Sequence, residues 1–147
     1  MRRLLLALPL AFVALLAQAE VIDIDNAELD KLLKSGVPII DIRTQPEWEE
    51  TGVISGSKLI TFFDERGRSD PAAWLDKVKP VARTDQPVIV ICRSGNRTKP
   101  VSQFLSQQAG YAKVYNVKYG IKGWSKDNGP LLPATQSIAA CRAAKSC

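Results

Sequence analysis

The sequence predicts an α/β domain built on a mostly parallel sheet. Three observations lead there. Short apolar runs alternate with helical patterns along the chain, as βαβ units require. The most apolar run, residues 87–91, shows no alternation, which fits a central strand covered on both faces. That run leads straight into Cys92 and a short polar loop, and a helical pattern follows.

The elements can be justified in order. Residues 21–24 form a short strand or entry segment. Asp25 is placed as an N-cap with Glu28 completing a capping box, Leu29, Leu32 and Leu33 give a helical stripe, and Gly36 is a fitting stop. Residues 37–42 read as a buried strand, residues 45–50 as one or two helical turns, and residues 58–61 as a second strand. Asp70-Pro71 is a strong helix start, with Trp74, Leu75 and Val78 facing one side and Pro80 ending the helix. After Cys92, residues 97–109 look helical; Pro100 is tolerated because it falls in the first turn. Residues 114–117 read as a strand and 121–127 as a short helix holding Trp124. From Gly129 on, prolines and small residues suggest a tail.

The first residues are of another kind. Met1-Arg2-Arg3, the apolar run from Leu4 to Leu16 and Ala17-Gln18-Ala19 have the order of a secretory signal cleaved after Ala19. The apolar run is short for a membrane span, which takes about 20 residues. The sequence thus divides into a signal peptide (1–19), one domain (20–128) and a C-terminal tail with a Cys pair (129–147), in a periplasmic or secreted protein without stable membrane association after cleavage. Loss of Arg2 and Arg3 lowers the formal charge from +5 to +3, too little to argue for a nucleic-acid partner.

The chain has three Cys and no His. Lack of His removes an imidazole base, a Ser-His-Asp triad and any His metal site, and neither metal nor cofactor is expected. In an oxidising compartment, three Cys suggest one pair plus one left over. Cys141 and Cys147 are read as a small disulfide, which requires a helix there to end or bend between them. That leaves Cys92.

Cys92-Arg93-Ser94-Gly95-Asn96-Arg97 lies where open α/β sheets bind ligands, at the carboxyl end of a strand. Gly95 and Asn96 tolerate left-handed backbone angles, so the loop can turn its N–H groups inward as an anion nest. The following helix adds its positive end, and Arg93 and Arg97 add full charges. A thiol at the base of that nest is favoured as thiolate, a nucleophile that needs no base beside it. The cations select an anionic substrate, and the small cradle fits a terminal sulfur atom better than a bulky group. Arg43 and Glu47 are expected to pair with each other; Asp41 either orients an active-site arginine or caps the next helix. Trp48, Trp74 and Trp124 are expected to pack in the core or at its rim, and the acidic run 47–50 to form a solvated turn.

Four segments resemble rhodanese domains. Asp41-Ile42-Arg43 with Glu47-Trp48 is similar to their D-V-R…E-[FY]; Gly52-Val53-Ile54-Ser55-Gly56-Ser57 to G-H-I-x-G-A, with Val53 where those motifs carry His; Cys92 to Arg97 to their six-residue loop; and Tyr115-Asn116-Val117 with Gly120-Ile121-Lys122-Gly123-Trp124 to the closing V-x-N-[LV]-x-G-G-[IM]-x-x-W. The resemblance implies a parallel sheet of about five strands with helices on both faces. It implies sulfur transfer through a persulfide, from a small anionic donor such as thiosulfate to cyanide or a thiol, with a protein sulfur acceptor possible. Cys92 would be the nucleophile, residues 93–97 the binding loop, and Asp41 and Arg43 neighbours on the next strand. Two other functions use the same thiolate: a persulfide carrier with little turnover, and a small phosphatase or arsenate reductase. The related phosphatases carry a C-x5-R loop one residue longer.

Overall fold

The computed structural model describes residues 19–147, so the signal-peptide reading lies, but for Ala19, outside the described residues. The element order is β1 (Glu20–Ile24), α1 (Asn26–Lys34), β2 (Ile39–Asp41), α2 (Gln45–Thr51), β3 (Lys58–Leu59), α3 (Pro71–Val78), β4 (Val88–Ile91), α4 (Thr98–Gln107), β5 (Lys113–Val117), α5 (Gly120–Lys126) and α6 (Thr135–Ala143). The five strands form one parallel sheet in the order β1-β5-β4-β2-β3. No described helix is long and apolar enough to cross a membrane.

Two aspartates start helices as predicted, although Glu28 does not complete the capping box expected at Asp25, its carboxylate meeting Lys31 instead. Asp25 accepts from the Glu28 amide and Asp70 from the Ala73 amide, each satisfying a donor that the first helical turn leaves without a partner. The predicted strand at 58–61 is shorter as a strand, yet its pairing runs on: Ile60 N donates to Asp41 O and Phe62 N to Ile42 O.

Strand β4 lies between β2 and β5, and all four of its residues are fully buried. Its side chains alternate between two cores. Val88 and Val90 join Ile40, Val101, Leu105 and Trp74 on the face covered by α3 and α4. Ile89 and Ile91 join Ile39, Leu29, Ile121 and Trp124 on the face covered by α1 and α5. Strand order reverses between β2 and β4: the chain leaves β2 outward to β3, and leaves β4 the other way to β5. Such a switch point opens a crevice at the carboxyl ends of the two strands. Asp41 ends one of them and Cys92 follows the other, with Asp41 and Ile91 in register.

Residues 129–147 are folded, which corrects their reading as a tail. Leu132 forms an isolated antiparallel bridge with Val53, and Ala134, Ile138 and Cys141 pack against Trp48, Val53 and Leu59. The sequence hides this helix because its apolar positions are sparse; α6 is held by tertiary contact more than by an amphipathic stripe. Val53, in the place of the motif histidine, is fully buried in this third cluster. Cys141 and Cys147 are disulfide-bonded; α6 ends at Ala143, and Lys145 has φ 52°, so the chain turns back between the two cysteines.

Candidate active site

Cys92 is 1% exposed and is the free cysteine among the described residues. Its Sγ accepts from the Gly95 amide at 3.2 Å and lies 3.6 Å from the Thr98 hydroxyl. Thr98 Oγ1 donates to Gly95 O at 3.1 Å. Since a hydroxyl has one hydrogen, a Cys92 thiol in this arrangement donates to Thr98 Oγ1, while an ionised sulfur can accept a hydrogen bond from that hydroxyl once its O–H turns away from Gly95 O.

The loop is shaped from outside by the turn into α5. Ile121 N donates to Cys92 O at 2.9 Å and Lys122 N to Arg93 O at 3.0 Å. Gly95 has φ +89°, and a Cβ there would sit 2.1 Å from Lys118 O. Gly120 has φ +58°, and a Cβ there would meet Cys92 O at 2.5 Å. Both positions therefore need glycine, for backbone angle and for space. The carbonyls of Cys92, Arg93 and Gly95 are thus engaged, whereas the amides of Arg93, Ser94, Asn96 and Arg97 donate to no acceptor among the described residues. Free amides around a buried sulfur are the makings of an anion site.

Arg97 is half-buried and held in a fork by Glu47, through Nη1 to Oε2 at 2.8 Å and Nη2 to Oε1 at 2.5 Å. Glu47 also accepts from the Thr44 amide and hydroxyl, both at 3.1 Å. Burial acts to raise the Glu47 carboxyl, but the bonds from Arg97 and Thr44 outweigh it and hold the group down at about 2. Two of the five guanidinium donors are used, so Arg97 stays fixed and still able to bind an anion.

The pairing expected between Arg43 and Glu47 is not formed. Arg43 pairs instead with Asp41, both fully buried, with Nε at 2.9 Å from Oδ1 and Nη2 at 2.6 Å from Oδ2. The other guanidinium hydrogens go to Gly52 O, Glu47 O and Thr51 Oγ1, so every donor has a partner. This closed unit ties the end of β2 to the end of α2 and, through Glu47 O, to the first turn from which the Glu47 carboxylate meets Arg97. Asp41 neither caps α2, where Thr44 is the N-cap, nor bonds an arginine of the loop. Residues 47–50 are not a solvated turn either: they lie in α2, with Trp48 3% exposed. Trp74 and Trp124 are buried at 3% and 5%.

Of the loop residues singled out from sequence, Cys92 and Gly95 are buried, Arg97 is paired, and Arg93, Ser94 and Asn96 are exposed. Cys141 and Cys147 belong to the cluster under α6, apart from the core that holds Cys92. Sequence reasoning missed Thr98 and the role of Glu47. The spacing Thr44-x-x-Glu47 is a capping-box signal that would have fixed the carboxylate of Glu47 at the helix start.

Loss of the Glu47–Arg97 pair has a pH signature. A carboxyl held at about 2 against an ordinary 4.5 contributes stability above pH 4.5 that disappears as pH falls toward 2. Wild type is therefore expected to exceed Glu47→Gln in urea midpoint at pH 6, with most of the gap gone by pH 2.5. A gap unchanged with pH would contradict this.

Comparison with known proteins supplies the family. The model of the rhodanese-like domain matches residues 25–127. The chain belongs to the rhodanese-like domain family. This rhodanese-like chain is 29% identical over 117 residues to thiosulfate sulfurtransferase 18 of Arabidopsis thaliana, covering 76% of this chain and 84% of the relative. It is 30% identical over 97 residues to the thiosulfate sulfurtransferase GlpE of Pseudomonas aeruginosa, covering 66% and 77%. Among solved structures it is similar to a rhodanese-like domain protein from Staphylococcus aureus, with TM-score 0.55, 25% identity, and coverage of 70% and 90%.

Proposed function

We propose that this rhodanese-like chain is a thiosulfate-type sulfurtransferase whose nucleophile is Cys92. The observation that carries the reading is a buried sulfur bonded by the Gly95 amide, inside a loop with four uncommitted amides and a fixed Arg97. The names of the relatives in Arabidopsis and Pseudomonas support it.

The reaction needs no general base. Cys92 Sγ, as thiolate, attacks the outer sulfur of thiosulfate; the S–S bond of the donor breaks and sulfite leaves with the electron pair. The product, Cys92–S–S⁻, again carries an anionic terminal sulfur that free amides can hold. Cyanide or a thiolate then attacks that outer sulfur, the bond to Sγ breaks, and the electron pair returns to Cys92. This double displacement suits a chain with no histidine. Arg97 binds the sulfonate charge of the donor, and Glu47 fixes the plane of the guanidinium.

The test is thiocyanate formation from thiosulfate and cyanide. The mature chain is expected to turn over, and Cys92→Ser to fall by at least about a thousandfold. Hydrolysis of an aryl phosphate without thiocyanate formation would overturn the reading. The site of action is proposed to be the periplasm or the exterior, which the signal-like residues 1–19 and the Cys141–Cys147 disulfide support.

A further inference from the structure

Beside the Cys92 loop lies a cavity of about 440 Å³ that Ser94 shares with Tyr119, Lys122 and Lys126. The wall is one face of α5 and the residue before it, since positions 119, 122 and 126 fall on the same side of a helix. Tyr119 is 51% exposed, the most exposed of the large apolar side chains described. Lys118 lies over its ring, with Nζ 5.2 Å from the centroid. Arg93, Lys118, Lys122 and Lys126 are all exposed, and none has a carboxylate partner among the described residues. Asp127 lines the same cavity and accepts from Asn26 Nδ2 at 2.6 Å, so its charge offsets one of these four cations. Elsewhere Lys31, Lys79 and Arg83 stand beside acids, while Lys58, Arg66 and Lys99 are unpaired among the described residues but lie apart from one another in sequence; this face gathers four unpaired cations around one loop and one helix. A net positive charge therefore remains beside the Cys92 loop.

We infer that this face is the docking surface for the sulfur acceptor, and that the acceptor is a protein presenting a cysteine among acidic side chains. The inference rests on the persulfide reading of Cys92 and adds the partner. Two features favour a protein over a small anion. The cationic stripe from Tyr119 to Lys126 extends about 10 Å along the helix, more than an inorganic sulfur donor can span. An exposed tyrosine ringed by cations also has the composition of an interface anchor. Uncompensated charge of one sign steers an oppositely charged partner and raises its association rate. On docking, the acceptor thiolate attacks the outer sulfur of Cys92–S–S⁻. A new S–S bond forms on the acceptor, the bond to Sγ breaks, and Cys92 departs with the electron pair as thiolate. The acceptor's own thiol proton has gone to solvent beforehand, so no oxidant or reductant enters.

The test isolates this second step. Mature protein is loaded with thiosulfate, freed of donor and checked by intact mass. It is then mixed with one of three cysteine peptides of equal length, flanked by glutamate, glutamine or lysine, or with mercaptosuccinate, a small anionic thiol. The acidic peptide is expected to discharge Cys92 about tenfold faster than the basic one at low salt, with the gap closing near about 0.5 M salt. In Lys122→Glu/Lys126→Glu the preference disappears or inverts, while discharge to cyanide stays within about twofold. Equal rates for all three peptides, or a preference that survives the charge reversal, overturn the inference and leave Cys92 chemistry intact. A rate for mercaptosuccinate matching the acidic peptide overturns the protein acceptor in favour of a small acid. A Cys92 that takes up no sulfur overturns this inference together with the reading it rests on.

Discussion

Asp41→Ala is expected to lower the free energy of unfolding by about 3–5 kcal/mol, the cost of leaving a buried charge without its partner. Arg43 would keep three of its contacts, to Gly52 O, Glu47 O and Thr51 Oγ1, but its charge would lose the carboxylate that faces it in a site with no exposure. Against a typical total of about 5–15 kcal/mol this is a large fraction. The effect should extend to the site, because Arg43 also donates to Glu47 O in the first turn of α2, the residue whose carboxylate holds Arg97. Replacing both partners together, Asp41→Leu with Arg43→Met, should cost less than Asp41→Ala alone, since no unpaired charge is left behind. Urea denaturation at pH 7 measures all three chains. An Asp41→Ala midpoint close to wild type would show that the pair does not carry the load assigned to it.

Gly95→Ala is the second large effect, and it acts on chemistry. The added Cβ would stand 2.1 Å from Lys118 O at a backbone angle of φ +89°. The loop must move, and the amide that meets Cys92 Sγ at 3.2 Å moves with it. Loss of one preorganised donor to a reacting anion typically costs about a hundredfold or more in rate. Sulfur transfer from thiosulfate should therefore fall by at least about a hundredfold, with the far-ultraviolet circular dichroism of the folded chain retained. A variant that folds and transfers sulfur at the wild-type rate would mean that the Gly95 amide takes no part.

Much of this arrangement could be read from local pattern. The four-residue apolar run of β4 followed by Cys92 placed the strand and the loop of the candidate site, because a fully buried parallel strand leaves an unmistakable run of β-branched residues. Asp25 and Asp70 marked helix starts because capping is a matter of three neighbouring residues. The ion pairs were misread where the element type was ambiguous. Arg43 and Glu47 are four apart, a spacing that pairs side chains on a helix. Arg43, however, precedes α2 and continues the extended chain of β2, where positions two apart share a face, so it meets Asp41. That freed Glu47 for Arg97, a partner fifty residues on that only the tertiary fold supplies. Helix α6 was missed for the related reason that its stability comes from Trp48, Val53 and Leu59, distant in sequence.

The central claim is that Cys92 carries sulfur covalently. Intact mass spectrometry of the mature chain after incubation with thiosulfate tests it most directly. The account predicts a gain of about 32 Da, one sulfur atom, that maps to Cys92, is removed by cyanide and is absent from Cys92→Ala. A chain that keeps its original mass under excess thiosulfate, or that gains sulfur equally well without Cys92, would contradict it.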